Sequence, residues 1–193
     1  DSTKKRDRIF RINTRRNNDK PANISTNWWI LDLGFSNYVD KSNYPAEISS
    51  GFVTTGIGED EMKARAGKSR SVNIWFFMQR LNMIKHVVNL KYGLGLELNN
   101  YHFEDKRIRF NESPTNIDLG YSGVGKNKFA ADYLTVPVML NINFTPNKRN
   151  NFGISAGVSA GYLYSARQKI KIDGDVDKTK SDFDLRKWKL SYI

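Results

Sequence analysis

The residues that could carry chemistry are few and scattered along this chain. Glu59, Asp60 and Glu61 form the densest carboxylate cluster and could bind a cation. Hard cations need oxygen ligands that are spaced along a loop, so we expect a solvated loop tip instead. The segment DGDVDK (173–178) begins like a calcium loop but lacks the bidentate glutamate at its end, and it predicts a β-turn.

Nucleophilic, phosphate-binding and metal-binding patterns are equally weak. The sequence has no cysteine, which excludes a thiol nucleophile, a cysteine–zinc site and a disulfide scaffold. The Gly-x-Gly pairs do not stand between a strand and a helix with a following Lys-Ser or Lys-Thr. His86 and His102 are too far apart in register to share a metal, and no Ser-His-Asp order can be defended. We therefore predict no catalytic, cofactor-binding or metal-binding residue, no cofactor and no enzymatic activity.

Two charges inside one alternating segment are the polar residues of most interest. Lys91 and Glu97 lie six positions apart in VNLKYGLGLEL (88–98), so both side chains point to the same side of a strand. A buried charge needs a partner. We therefore expect an acidic neighbour for Lys91 and a destabilised Lys91→Met variant. The residues predicted to share this polar side, facing the lumen of a barrel, are Asp32, Asn89, Lys91, Glu97, Asn141 and Asn143.

Period-two alternation defines the elements that must position these residues. It predicts strands over 29–35, 71–80, 88–98, 134–144 and 152–164, and an ambiguous sixth strand over 182–193. The apolar sides predicted to face lipid contain Leu90, Tyr92, Leu94, Leu96, Leu134, Val136, Val138, Leu140, Ile142, Ile154 and Val158.

Strand length and the glycine-rich polar side favour a membrane barrel over a soluble one. Soluble strands average about 5–6 residues, whereas a strand that crosses a bilayer needs about 9–11. Small polar residues suit a narrow lumen better than a water-exposed surface, because interior glycine weakens a strand. A mean hydropathy of −0.60 does not oppose this interpretation, since only every second residue must be apolar.

The connections between the predicted strands alternate between short and long. The short ones lie near 81–86 and 145–150, and the long ones span 40–68, 100–131 and 165–181. This alternation is typical of short periplasmic turns and long external loops in outer-membrane barrels. It predicts a periplasmic amino terminus, where residues 1–25 form a basic tail that we expect to be poorly ordered.

Several segments together resemble one known family. YLTVPVMLNINF (133–144) and FGISAGVSAGYLYSARQ (152–168) resemble a Leu-x-x-Pro strand and a glycine-rich strand of the PorT-like outer-membrane β-barrel family of Bacteroidota. WWILDLGFSNYVD (28–40) and VNLKYGLGLELNNYHF (88–103) look like its first and third strands. The resemblance covers residues 26–193 and implies an all-β, antiparallel, up-and-down transmembrane barrel of eight strands, with no particular activity.

The count of six strands leaves two explanations open. Either the sequence is part of a longer chain, or the amino-terminal segment and the long loops supply further strands; KRIRF (106–110) alternates and could extend a hairpin. We expect a structural or accessory subunit of a cell-envelope secretion, assembly or transport complex in the outer membrane of a Gram-negative bacterium. Its partners would be outer-membrane lipid, lipopolysaccharide and other envelope subunits, not nucleic acid. The alternatives are a soluble antiparallel barrel for a small apolar ligand and a basic nucleic-acid-binding β domain.

Overall fold

The computed structural model of the chain describes residues 22–38, 40–120, 122–146, 152–181 and 183–193. Within them, none of the helices has the length and apolar character needed to cross a membrane. Of the predicted tail over 1–25, residues 1–21 lie outside the described residues. In chain order, the elements are β1 (Ile24–Phe35), α1 (Tyr44–Ser49), α2 (Glu59–Met62), β2 (Arg70–Ile84), β3 (Val88–Tyr101), β4 (Ile108–Glu112), β5 (Thr115–Leu119), β6 (Val124–Asn143), β7 (Gly153–Ile172), β8 (Asp175–Lys180) and β9 (Trp188–Tyr192).

Seven strands form one antiparallel sheet in the order β1-β2-β3-β6-β7-β8, and β9 also pairs with β7. β8 pairs with the last residues of β7 and β9 with its middle, so together they occupy one strand position. Neighbouring strands are therefore consecutive along this sheet, as an up-and-down barrel requires. In the described part of the chain, β1 pairs only with β2, and β8 and β9 pair only with β7.

The sheet is strongly curled. Lys189 on β9 contacts Glu97 on β3, although β6 and β7 lie between these two strands. Three strand spacings amount to about 14 Å in a flat sheet, so this contact requires the sheet to bend towards the side that bears both residues. We call this side the inner face and the opposite side the outer face. The architecture is all-β, a half-barrel of antiparallel strands.

The two ends of the half-barrel differ. At the turn end, short connections over 85–87 and 144–152 join β2 to β3 and β6 to β7. At the loop end lie the connections 36–69 and 102–123, with the two helices and the β4–β5 hairpin. The suggestion that KRIRF (106–110) contributes to a hairpin is confirmed by this pair of strands, which forms a separate sheet.

A hydrophobic core fills the loop end. A chain of tilted ring contacts, with centroids 4.6 Å apart for Phe110 and Phe129, joins Phe103, Phe110, Phe129 and Phe183. Ile108 on the hairpin is fully buried among them. Phe129 pairs in register with Tyr101 and Gln168 on the inner face of the sheet. This core therefore lies inside the half-barrel at its loop end.

A β-bulge corrects the predicted sides of β2. Strict alternation placed Val72, Ile74, Phe76 and Met78 on one side. In the structure the register shifts between Trp75 and Phe77, because Phe76 has no partner on β3. One extra residue inverts the alternation beyond it, so Met78 turns to the inner face opposite Gly93. Three consecutive aromatic residues conceal such a bulge from a periodicity argument.

Two predicted connections contain strands. The segment 165–181, predicted as a long connection, forms the end of β7, a turn and β8. Its turn residues Asp173 and Gly174 have φ values of 45° and 99°, which suits a two-residue hairpin turn. The predicted connection 100–131 contains the β4–β5 hairpin and the start of β6. The β4–β5 hairpin leaves the simple alternating pattern because Ile108, Phe110 and Ile117 pack in the loop-end core.

Candidate functional site

The inner face carries a band of polar residues that the strand register brings together. Asp32 stands opposite Asn73, which in turn stands opposite Glu97, across three neighbouring strands. Asn89 stands opposite Asn141 on the next pair. The structure thus places all six residues of the predicted polar set on this face: Asp32, Asn89, Lys91, Glu97, Asn141 and Asn143.

Glu97 and Lys189 form the longest-range contact of this face. The Lys189 ammonium donates a hydrogen bond to Glu97 Oε1, and its Nζ lies 5.1 Å from the centre of the Tyr133 ring. Asn99 Nδ2 donates a second hydrogen bond to the same carboxylate oxygen at 2.9 Å. Both charged side chains are largely shielded, and the pair connects β3 to β9 across the inside of the half-barrel.

Lys91 does not have the acidic partner that we expected. In the described part of the chain its ammonium donates to Ser155 Oγ at 3.1 Å, and none of the ion pairs found there includes it. Its register neighbour on β2 is another cation, Arg80. The prediction was wrong because the inner-face carboxylates of Asp32 and Glu97 both lie at the level of Asn73, about 20 Å along the sheet from Lys91.

Asparagine and serine side chains form a buried hydrogen-bonded chain near the turn end. Asn89 Nδ2 donates to Asn141 Oδ1 at 3.4 Å and to the His86 carbonyl oxygen at 3.2 Å. Asn141 Nδ2 in turn donates to Ser155 Oγ at 3.0 Å, the same oxygen that Lys91 contacts. These side chains therefore bond to one another across β3, β6 and β7, although Asn89 Oδ1 has no hydrogen-bond partner in the described part of the chain.

A small cavity separates this chain from β1. It has a volume of about 420 Å³ and includes Asp32, Trp75, Arg80 and Lys91 in its lining. Asp32 Oδ2 accepts a hydrogen bond of 2.6 Å from Trp75 Nε1. The cavity is lined by charges of both signs.

The outer face is apolar and exposed. The predicted lipid-facing residues on β6 and β7 have between 39% and 60% of their surface accessible, with Leu140 at 54% and Ile154 at 60%. These residues are Leu134, Val136, Val138, Leu140, Ile142, Ile154 and Val158. On β3, Leu90, Tyr92, Leu94 and Leu96 are half-buried between neighbouring strands.

The height of this apolar band matches a bilayer. From Leu134 to Ile142 it covers about nine residues, or about 30 Å along the strand. A strand tilt of about 40° reduces this to about 23 Å, close to the apolar band of outer-membrane barrels. Above it, the outer face of β6 changes to Asp132, which pairs with Arg167 on β7.

The remaining chemical candidates have structural roles. Glu59, Asp60 and Glu61 form the first turn of α2 rather than an irregular loop tip, and Glu61 Oε2 accepts the Gly58 N–H at 2.9 Å. The prediction of a turn in DGDVDK (173–178) is confirmed. His86 and His102 flank opposite ends of β3. Across the described ranges, no group of three or more metal-ligating side chains is assembled.

Three partners in the polar band were not identified from the sequence. Ser155 and Trp75 lie on strands that were predicted, and their alternation already placed them on the polar side. Lys189 lies in the ambiguous segment 182–193, where neither side is consistently apolar. The large exposed side chains of Trp188, Leu190 and Tyr192 on the outer face of β9 show why Lys189 points inward.

An antiparallel, curled sheet with a polar inner face and a bilayer-sized apolar outer face defines a membrane β-barrel protein. Residues 28–193 match the family model described as outer membrane protein beta-barrel domain. The chain therefore belongs to this family of outer-membrane β-barrel domains. No curated protein and no solved structure shows significant similarity to it.

Proposed function

We propose that this protein is a non-enzymatic outer-membrane barrel whose lumen is plugged by its own side chains. The contact between Glu97 and Lys189 across the inner face is the observation that carries the proposal. The buried asparagine chain near the turn end and the aromatic core at the loop end support it as well. An eight-stranded barrel has an interior just wide enough for side chains, so such contacts leave no continuous aqueous path.

A plugged barrel suits a structural or accessory subunit of a cell-envelope secretion, assembly or transport complex. The PorT-like family of Bacteroidota is the closer assignment that we propose, on the residues of 133–144 and 152–168. Loops at the loop end and the basic residues of 1–25 offer surfaces for other envelope subunits. In this arrangement the loop end faces outward and the amino-terminal segment lies in the periplasm.

The edge strands of the half-barrel limit how it can be embedded in the membrane. Unpaired backbone groups cost several kcal/mol each in hydrocarbon. We therefore expect further strands to cover β1 and β9 there, supplied by the same polypeptide or by a partner chain. Eight strands in total remain our prediction for the closed wall.

Fractionation and gel mobility test the proposal. The protein expressed in a Gram-negative host should follow the outer membrane, require detergent for extraction and migrate differently after boiling. In planar bilayers the folded protein should give no steady conductance steps. Extraction without detergent and unchanged mobility after boiling would favour the soluble, ligand-binding barrel instead. Regular channel currents would reject the plug.

A further inference from the structure

Five lysines stand in register on the outer face at the loop end. Lys128 on β6 lies directly opposite Lys169 on β7, and Lys169 lies opposite Lys178 on β8. Lys126 lies opposite Lys171 one step further from the apolar band. We call these five residues the lysine ladder. They point outward because their neighbours Asn127, Phe129 and Gln168 are buried on the inner side.

This arrangement is unfavourable for the isolated protein. Like charges directly opposite on neighbouring strands destabilise a sheet. Among the described residues, none of the ion pairs includes a member of the lysine ladder. The charge of Asp132, at the base of the ladder, acts on Lys128 but is paired with Arg167 through Oδ2. An anion bound along the ladder would remove the repulsion.

A basic cavity continues the ladder towards β2. Lys126 belongs to both, and the cavity has a volume of about 400 Å³. Every ionisable residue in its lining is basic: Arg65, Lys68, Arg70, His102, Lys106 and Lys126. Of these, Arg65 has an ion pair with Glu104, at 3.6 Å. Burial lowers the pKa of His102, and the charges of Lys126 and Lys128 lower it further, as expected in a positive potential.

The backbone makes this cavity a defined structure. The Arg65 N–H donates to the His102 carbonyl oxygen at 2.7 Å, and the His102 N–H donates to Ser69 Oγ at 3.0 Å. The Arg70 guanidinium also lies 4.5 Å from the centre of the exposed Phe35 ring on β1. The cavity therefore combines several cations with an adjacent exposed aromatic side chain.

We propose that the lysine ladder and the basic cavity bind the phosphate groups of outer-leaflet lipid, namely the phosphorylated glycolipid of lipopolysaccharide. Phosphate accepts charge-assisted hydrogen bonds from several lysines at once. The position just above the apolar band places these lysines at headgroup height. This inference rests on the proposed outward orientation of the loop end.

Stability in vesicles of defined composition tests the proposal. The ladder variant K128Q/K169Q/K178Q is compared with the matched variant K41Q/K63Q/K85Q, which loses the same charge elsewhere. Each is reconstituted into phosphatidylcholine vesicles alone, with diphosphoryl lipid A, or with dephosphorylated lipid A. The unfolding temperature is read from the gel shift, and lipid retention is measured by native mass spectrometry.

Removing the ladder lysines should raise stability in the absence of lipid A and weaken the binding of lipid A when it is present. In phosphatidylcholine alone, the ladder variant should unfold at a higher temperature than the wild-type protein, because repulsion has been removed. Diphosphoryl lipid A should stabilise the wild-type protein and the matched variant, and the ladder variant should bind it about tenfold more weakly or worse. Dephosphorylated lipid A should stabilise none of them.

Three outcomes would overturn the proposal. An equal response of the ladder and matched variants would mean that net charge, not the ladder, attracts the lipid. Equal stabilisation by inorganic phosphate in detergent would identify a free anion as the ligand. An absence of any effect of lipid A on a protein that still shifts on boiling would reject lipid binding while leaving the barrel assignment intact.

Discussion

At the residue scale, the partner of each charge on the inner face decides its energetic role. Lys91 contacts a hydroxyl group and stands opposite Arg80, whereas Glu97 has a cation and an amide as partners. Removing one member of a shielded ion pair leaves the other charge without compensation, which costs more than the pair contributes. The two charges of the same strand should therefore respond differently to substitution.

The first prediction compares three substitutions of the inner face. Glu97→Gln and Lys189→Gln should each lower the free energy of unfolding in detergent by about 1–3 kcal/mol, because the remaining charge stays shielded from water. Lys91→Met should cost less than either, since it also removes repulsion with Arg80. The temperature at which the folded gel band disappears measures all three.

A double substitution supplies the control for this pair. Glu97→Gln combined with Lys189→Gln should be less destabilised than the sum of the single variants, because no unpaired charge remains. Strict additivity would contradict a direct interaction. A Lys91→Met variant that unfolds before Glu97→Gln would show that Lys91 has a carboxylate partner after all.

At the element scale, glycine on the inner face allows the strands to approach each other closely. A Cβ atom on Gly95 would lie 2.6 Å from both the Ile74 carbonyl oxygen and Trp75 Cε3. On Gly157 it would lie 2.5 Å from Met139 Cα. The glycines of β3 and β7 thus reflect crowding inside the curled sheet, which is the physical reason for the small-residue side of the alternation.

The second prediction follows from this crowding. Gly95→Ala should destabilise the barrel by about 1–3 kcal/mol, since the methyl group meets backbone that cannot move without disturbing β2. Gly34→Ala on β1 is the matched control, because nothing lies within 4 Å of its added Cβ atom. Both variants are measured by the temperature of the gel shift. Equal stability of the two variants would mean that β2 and β3 separate without cost at Gly95.

At the scale of the whole molecule, orientation in the membrane determines which surfaces meet partners. The chain has no cysteine, so single introduced thiols report topology without background. Glu112 at the tip of the β4–β5 hairpin and Val87 in the β2–β3 turn mark the two ends of the half-barrel.

The third prediction concerns these two positions. In intact cells, a membrane-impermeant maleimide should label Glu112→Cys and spare Val87→Cys, because the loop end faces outward in the proposed arrangement. Permeabilising the outer membrane should make both thiols reactive. Labelling of Val87→Cys alone in intact cells would reverse the orientation and remove the basis for lipid A binding at the lysine ladder.

Much of the wall of the half-barrel could be predicted from the sequence, since period-two alternation is a local property of a strand between two different environments. It identified the polar and apolar sides of β3, β6 and β7 and the short turns between them. It did not identify β8, although Asp173 and Gly174 form a strong hairpin signal. The bulge at Phe76 was also missed, because neighbouring aromatic residues have no polar residue between them to show the inversion.

The sequence by itself determined that these strands have one apolar side and one side of small and polar residues, because the side on which a residue lies follows from its position along the strand. Only the tertiary structure decided which residues meet. Glu97 meets Lys189 because curvature shortens the path across the half-barrel. The lysine ladder exists because register places lysines of separate strands opposite one another. Curvature and register arise from the packing of whole strands, which no local pattern records.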